Sequence, residues 1–206
     1  MESNELTIVI VTFKSEEKIF ACLNSIPNKT HVIIVENSNN EDFKKKIENN
    51  YSNVLCVLTG KNKGYSVANN LGLSLVKTKY ALVLNPDTIL KKDVIANFLT
   101  STNHIKDFWL MGPANDQINN FDFKNKSFCE VENLRGFAMF FNLSKFNNSY
   151  FDENFFLFFE EIDLCKRVKK NKGTIYLDKN IIIKHEGAGS VEIKNSFELE
   201  KNRNWH

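Results

Sequence analysis

A carboxylate that directly follows a buried strand is the most informative feature of this sequence. Residues 81–84 form an apolar run typical of a strand buried on both faces, and the run stops at Asn85 and Pro86. Proline has no N–H group to donate to a ladder, so Asp87 lies at the carboxyl end of the strand. Ligands of open α/β sheets bind outside these ends, which makes Asp87 a candidate ligand for a metal ion. A turn that only caps the next helix is the alternative.

A second group of acids begins a predicted helix. Residues 160–172 show an amphipathic pattern, with acids in the first turn and lysines in the last, directly after a phenylalanine-rich segment. Glu161 and Asp163 both suit general-base catalysis by type, unless the group is only an ordinary acidic helix start. Residues two apart lie about 200° apart around a helix, so both cannot face one site. We favour Glu161, which is closer to the aromatic segment, and expect Asp163 either to cap the helix or to bind Arg167.

A loop containing Asn62 and Gly64 leads into another predicted helix. A helix amino terminus offers free N–H groups and a partial positive charge, and small residues allow close approach, so a phosphate or a sugar would fit. The loop has neither G-K-[ST] nor G-x-G-x-x-G, which excludes the known mononucleotide and dinucleotide loops. Taken alone, a plain turn before a helix is the better explanation.

Single polar residues at other predicted strand ends are weaker candidates. His185 follows a predicted strand, where it suits either a metal ligand or an ordinary histidine at a sheet edge. Arg135 suits either a phosphate contact or a surface salt bridge. The adjacent Gly136 allows a ligand to approach the backbone, and a bulge explains it equally well.

Strands and helices alternate along the first half of the chain. Apolar, β-branched runs predict strands at residues 6–12, 31–35, 54–58 and 81–84, and helical patterns lie between them. The second half is less regular, with predicted strands at residues 108–113, 134–141, 173–177 and 181–183. Such alternation implies right-handed crossovers, an α/β fold and a mainly parallel sheet.

Composition limits the class of protein. The 206 residues are 42% hydrophobic and suit one domain, and a net charge of +2 gives no reason to expect nucleic acid as a partner. The four cysteines show no C-x-x-C spacing, which suits reduced core thiols in the cytosol. No apolar run approaches about 18 residues, so neither a signal peptide nor a spanning helix is expected. We expect a cytoplasmic protein, and peripheral contact with the inner face of a membrane stays open.

Seven short motifs occur in a consistent order along the chain. They are Thr12-Phe13, Glu36-Asn37-Ser38, Asn62-x-Gly64, Asn85-Pro86-Asp87, Arg135-Gly136, Glu160-Glu161-x-Asp163-Leu164-Cys165-x-Arg167 and His185-x-x-x-x-Ser190. Together they resemble family 2 inverting glycosyltransferases of the GT-A fold, over about residues 6 to 204, and are most similar to the bacterial rhamnosyltransferase-like branch that builds cell-surface polysaccharide. The resemblance implies a Rossmann-like nucleotide-diphospho-sugar transferase fold, with a mixed, mostly parallel sheet flanked by helices. It implies one domain, residues 1–206, with a nucleotide-binding half up to about 112 and an acceptor-side half from about 113.

The resemblance also implies a reaction and a set of site residues. A hexosyltransferase of this type moves a sugar from a nucleotide-diphosphate donor to a hydroxyl of a glycan or a lipid-linked saccharide. Glu161 matches the catalytic carboxylate, Asp87 matches a ligand of a divalent metal ion, Mn²⁺ or Mg²⁺, and His185 matches a histidine that contacts the metal or the diphosphate. The implied nucleotide-sugar-binding residues are Thr12, Glu36, Asn62, Gly64, Asn85, Arg135 and Gly136. The chain departs from the family at Glu36 and Glu161, where aspartate is usual, and a longer side chain could move a carboxylate by over ~1 Å.

Two other functions stay open. A nucleotidyltransferase can also use a Rossmann-like sheet with a carboxylate-bound metal, but a Gly-rich loop with Arg or Lys would be expected after the first strand, where this chain has Thr12-Phe13-Lys14-Ser15. A non-catalytic module that binds sugar nucleotides is the other alternative.

Overall fold

The fold places strands and helices in near-strict alternation up to residue 104. The computed structural model describes residues 5–115 and 121–185. The helices are α1 Glu16–Ser25, α2 Glu41–Asn50, α3 Tyr65–Ser74, α4 Val94–His104 and α5 Glu160–Lys170. The strands are β1 Leu6–Thr12, β2 His31–Glu36, β3 Val54–Leu58, β4 Tyr80–Leu84, β5 Thr88–Leu90, β6 Leu110–Pro113, β7 Phe128–Glu130, β8 Ala138–Asn142, β9 Ile175–Asp178 and β10 Ile183–His185. In these described segments, no helix is long and apolar enough to cross a membrane.

One large sheet organises the molecule. Its eight strands have the order β3-β2-β1-β4-β8-β6-β9-β7, and only β8 and β7 run antiparallel to their neighbours. The register pairs Thr12 with Glu36 and Glu36 with Leu58, so the first three strands end at one edge. The predicted α/β fold with a mixed, mostly parallel sheet is confirmed.

The two faces of the sheet carry separate apolar layers. Ile8 and Ile10 of β1 pack into the layer that also contains apolar side chains of α1, α2 and α4. Val9 lies on the opposite face, in the layer with α5 and Leu73 of α3. Successive strand residues point to opposite faces, which explains why β1 is apolar throughout rather than alternating.

Two short strands were not predicted, and one of them positions a site residue. β5 follows the Asn85–Asp87 turn and pairs antiparallel with β10 in a separate two-stranded sheet. This pairing sets His185 opposite Thr88, next to Asp87. β10 ends at His185, two residues later than the predicted strand at 181–183. Ser190, the last residue of the seventh motif, lies outside the described residues.

Candidate active site

A cleft of about 900 Å³ opens at the carboxyl ends of the parallel strands. Both halves of the chain line it, as expected for an open α/β sheet. Seven predicted site residues line this cleft: Asn62, Gly64, Asn85, Arg135, Gly136, Glu161 and His185. The other three, Thr12, Glu36 and Asp87, are buried and do not line the cleft.

Asp87 and His185 form a pair beside the cleft. The two side chains approach to 3.3 Å between Oδ1 of Asp87 and Nε2 of His185. Asp87 is 6% exposed, and its Oδ1 accepts no hydrogen bond from the described part of the chain. An acceptor-only carboxylate oxygen that is buried without a donor, next to an imidazole nitrogen, suits a divalent cation. The pair therefore fits a metal ion.

The remaining ligands of such an ion would have to come from elsewhere. Within residues 5–115 and 121–185, no group of three or more His, Cys, Asp or Glu side chains is placed to hold a metal. Magnesium commonly binds through one or two carboxylates together with substrate phosphates, which is the arrangement that this pair allows.

Phe137 contacts His185 and the backbone of Asn85, two residues before Asp87. Its ring stacks on the imidazole of His185, with centroids 4.6 Å apart and planes 8° apart. Its carbonyl oxygen accepts the N–H of Asn85 at 2.9 Å. The turn after Asn85 is closed by Thr88, whose hydroxyl donates to the Asn85 carbonyl at 2.8 Å. The Asn85–Thr88 segment is therefore a turn, but it leads into β5 rather than capping a helix.

Glu36 is buried at the end of β2 and its carboxylate is held by two hydroxyls. The hydroxyl of Thr12 donates to Oε2 at 2.6 Å, and the hydroxyl of Ser38 donates to Oε1. Burial raises the pKa of Glu36, and the hydrogen bonds from Ser38 and Thr12 oppose that shift. The structure thus brings Thr12 and Glu36 together, beneath the cleft surface.

The Asn62–Gly64 loop is tied to β2 and to the aromatic segment. Asn37 donates to Oδ1 of Asn62 at 2.9 Å and accepts the N–H of Lys63 at 2.9 Å. The N–H of Tyr65, the first residue of α3, donates to the carbonyl oxygen of Phe156 at 2.7 Å. One of the N–H groups at this helix start is therefore bonded within the protein rather than offered to a phosphate.

Glu161 and Asp163 have different surroundings on α5. Glu161 lines the cleft and packs against Gly136, where a Cβ atom would lie 3.5 Å from Glu161 Cβ. Asp163 forms an ion pair with Arg167, in which Nε of Arg167 lies 2.7 Å from Oδ2 of Asp163. Of the two roles expected for Asp163, the structure has the pairing with Arg167.

Aromatic side chains cover one wall of the cleft. Phe156 and Phe158 line it and are 57% and 45% exposed. Phe158 and Phe159 have φ of 70° and 71°, a strained conformation for residues with a Cβ. Trp109 packs edge-to-face on Phe146 and does not line the cleft.

Two residues that the sequence analysis did not select contribute to the site. Tyr65 and Phe137 both line the cleft and contact predicted site residues. The available signal was their position, because each directly follows a motif glycine.

Sequence comparison identifies a family and curated relatives of this chain. The family model described as Glycosyl transferase family 2 matches residues 7–165. Low-salt glycan biosynthesis hexosyltransferase Agl10 from Haloferax volcanii is 26% identical over 193 residues, 81% of this chain and 62% of that protein. The chain thus spans less than two thirds of the length of this curated relative.

Solved structures show the fold. GalNAc-T7 with UDP, GalNAc and Mn²⁺ has a TM-score of 0.74 at 11% identity, over 87% of this chain and 42% of that one. Mannosyltransferase PcManGT from Pyrobaculum calidifontis, in complex with GDP-Man and Mn²⁺, has a TM-score of 0.67 at 12% identity, over 87% and 56%. The chain has the GT-A fold that the family resemblance implies.

Proposed function

The chain belongs to glycosyl transferase family 2, and we propose that it moves a hexose-type sugar, with inversion, from a nucleotide-diphosphate donor to a hydroxyl of a glycan or lipid-linked saccharide. The proposal includes a role in cell-surface polysaccharide synthesis of the rhamnosyltransferase-like kind. It places the donor in the half up to about residue 112 and the acceptor against the half from about 113. The working place is the cytoplasm, at the inner face of the membrane if the acceptor is lipid-linked.

The nucleotide differs among solved structures of this fold. The two solved structures contain UDP in one case and GDP-Man in the other, so the fold accommodates different bases. We assign Asn62 to the nucleotide side, supported by the buried Thr12–Glu36 pair beneath the cleft surface. We assign Asn85, Arg135 and the backbone at Gly64 and Gly136 to the sugar and its diphosphate.

The Asp87–His185 pair is the observation that carries the proposal. The two side chains approach to 3.3 Å because β5 pairs with β10. This pairing brings together a motif from the first half of the chain and one from the second half. Asp87 and His185 would hold a divalent ion, Mn²⁺ or Mg²⁺. When bound, such an ion neutralises negative charge on the diphosphate leaving group.

Glu161 supplies the proton acceptor in this mechanism. The acceptor hydroxyl attacks the anomeric carbon on the face opposite the diphosphate, its proton passes to the Glu161 carboxylate, and the carbon–oxygen bond to the diphosphate breaks. A new glycosidic bond forms with inverted configuration. Glu161 lies in the first turn of α5, beside the acceptor side of the cleft.

Metal-dependent donor binding tests the assignment of Asp87. We expect UDP-, dTDP- or GDP-sugars to raise the unfolding temperature of the protein more in the presence of Mn²⁺, because a ligand of the folded state stabilises it. Asp87→Asn should keep the fold and lose this Mn²⁺-dependent increment. Unchanged Mn²⁺ dependence of nucleotide affinity in that variant would count against the proposed metal site.

Three further measurements test the role of His185 and separate the alternative functions. His185→Ala should weaken binding of the nucleoside diphosphate with Mn²⁺ more than binding of the bare nucleoside, whereas equal losses would indicate a structural histidine. Hydrolysis or transfer of a sugar-nucleotide donor would exclude a non-catalytic binding module. A reaction of a nucleoside triphosphate with a sugar phosphate that releases pyrophosphate would instead identify a nucleotidyltransferase.

A further inference from the structure

A single tyrosine hydroxyl connects two segments of the cleft. Oη of Tyr65 lies 3.1 Å from Oδ1 of Asn85 and 3.4 Å from the carbonyl oxygen of Gly136. Both partners are acceptors, so the one hydroxyl proton serves both. Asn85 begins the turn that carries Asp87, and Gly136 packs against the side chain of Glu161.

The segment of residues 136–137 contacts the proposed metal site as well as the proposed base. Gly136 would place a Cβ atom 3.5 Å from Cβ and Cγ of Glu161. The next residue, Phe137, accepts the N–H of Asn85 and stacks on His185. The Tyr65 hydroxyl therefore donates where the metal-holding turn and the backbone beside Glu161 come together.

Tyr65 is itself held rigidly. Its N–H donates to the Phe156 carbonyl at 2.7 Å, and its ring packs edge-to-face on Phe151 with centroids 6.2 Å apart. Burial, followed by the nearby carboxylate of Glu160, raises the pKa of Tyr65 strongly. The hydroxyl therefore stays protonated and acts as a donor, not as a base.

We propose that Tyr65 is a positioning residue, whose hydroxyl fixes the turn bearing Asp87 relative to Glu161 during sugar transfer. The inference rests on the proposed function, because it assigns Tyr65 to the alignment of groups with roles in that reaction. Transfer requires the donor, bound on the Asp87 side, and the base to be aligned closely, and small misplacements cost large factors in rate. Binding of the donor alone does not require that alignment.

Tyr65→Phe removes the hydroxyl and keeps the ring. The experiment measures kcat for transfer and the Kd of the sugar nucleotide with Mn²⁺. We expect kcat to fall about 10-fold or more, with the donor Kd within about twofold of the wild type. Tyr51→Phe is the matched control, because Tyr51 also donates to an asparagine Oδ1, that of Asn24 at 2.9 Å, and lies outside the cleft.

Several outcomes are distinguishable. A wild-type kcat in folded Y65F, or a loss of stability alone, overturns the proposal while the proposed function stands. A wild-type protein that transfers no sugar from any donor overturns the proposed function itself. Asn85→Ala is the second variant if Y65F does not fold: because Asn85 is also assigned to the donor, its kcat is measured at saturating donor, where it should fall, and an unchanged kcat overturns the proposal. If both variants fold, their effects on kcat should be less than additive, because they remove one bond.

Discussion

Two acidic residues on α5 have different roles because they lie on different sides of the helix. Glu161 faces the cleft, and Asp163, two residues later, bonds to Arg167. Arg167 also donates from its guanidinium to the Tyr150 carbonyl at 2.5 Å, which ties α5 to the segment before the aromatic wall. The same acidic helix start therefore contributes one candidate base and one structural anchor.

Glu161→Gln tests the base at this scale. The amide keeps the size of the side chain and cannot accept the proton, so we expect transfer to fall by about 10²- to 10⁴-fold with the donor Kd nearly unchanged. Steady-state kinetics and donor titration measure the two quantities.

Asp163→Asn is the matched comparison. Its ion pair with Arg167 is partly exposed, at 27% and 33%, and such pairs contribute about 0.2–1 kcal/mol. We expect a small loss of stability and near-normal transfer. Normal transfer in E161Q with abolished transfer in a folded, donor-binding D163N protein would move the base to Asp163.

At the scale of elements, α3 joins the central sheet to the aromatic wall. Gly72 packs on the sheet so closely that a Cβ atom would lie 2.4 Å from Cγ1 of Val9. The side chain of Asn70 donates to the Phe151 carbonyl at 2.9 Å and accepts the Phe151 N–H at 3.0 Å. The loop and helix after β3 therefore anchor the segment at 151–156, a role that a phosphate-loop interpretation does not include.

Gly64→Ala tests that anchor, with Gly60→Ala as its matched control. Both glycines have positive φ, 87° at Gly64 and 78° at Gly60, so alanine is strained at each, and Gly64, with ψ of 166°, lies in a region that essentially only glycine adopts. At Gly64 the added Cβ would also lie 2.7 Å from the Phe156 carbonyl oxygen, whereas nothing lies within 4 Å at Gly60. We expect G64A to lose about 1–3 kcal/mol more stability than G60A in urea unfolding. Equal losses would show that the Phe156 contact adjusts freely.

The longer strands and helices were predictable from the sequence, whereas the short strands β5 and β7 were not. β4 and α5 follow from an apolar run and a helical period, which are local signals. β5 and β7 have three residues each, too few for a period to be recognised. Their existence depends on partners that lie far away in the chain.

The same limit applies to the site. Asp87, Glu161 and His185 were selected by residue type, strand ends and family motifs, and the structure places all three at or beside the cleft. Tyr65 and Phe137 carry no such type signal. Their contacts with Asn85 and His185 arise only from tertiary packing.

At the scale of the whole molecule, a buried acid, Glu36, lies at the carboxyl end of β2, on the cleft side of the sheet. Glu36 is 2% exposed and lies in register between Thr12 of β1 and Leu58 of the edge strand β3. Burial raises its pKa above the ordinary value of 4.5, although hydroxyl hydrogen bonds favour the ionised form. Folding is therefore linked to the protonation of this one carboxyl group.

The sign of this linkage gives a prediction for the stability of the domain. Between the ordinary carboxyl pKa and the raised pKa of Glu36, the folded state binds more protons than the unfolded state, so the free energy of unfolding decreases as pH rises. The stabilising contribution of Glu36 is complete at pH values below its ordinary pKa and is lost as pH rises through its pKa in the folded state. Glu36→Gln removes this titration. The free energy of unfolding of the variant, relative to that of the wild type, should therefore increase with pH across this window.

Urea unfolding at stepped pH measures the difference between the two proteins. Ser38→Ala provides a control of opposite direction, because the Ser38 hydroxyl donates to the carboxylate and lowers the pKa of Glu36. Its removal should raise that pKa further and extend the decrease in stability to higher pH. Wild-type and E36Q curves that run parallel would show that Glu36 titrates alike in both states, and that its two hydroxyl donors fully offset its burial.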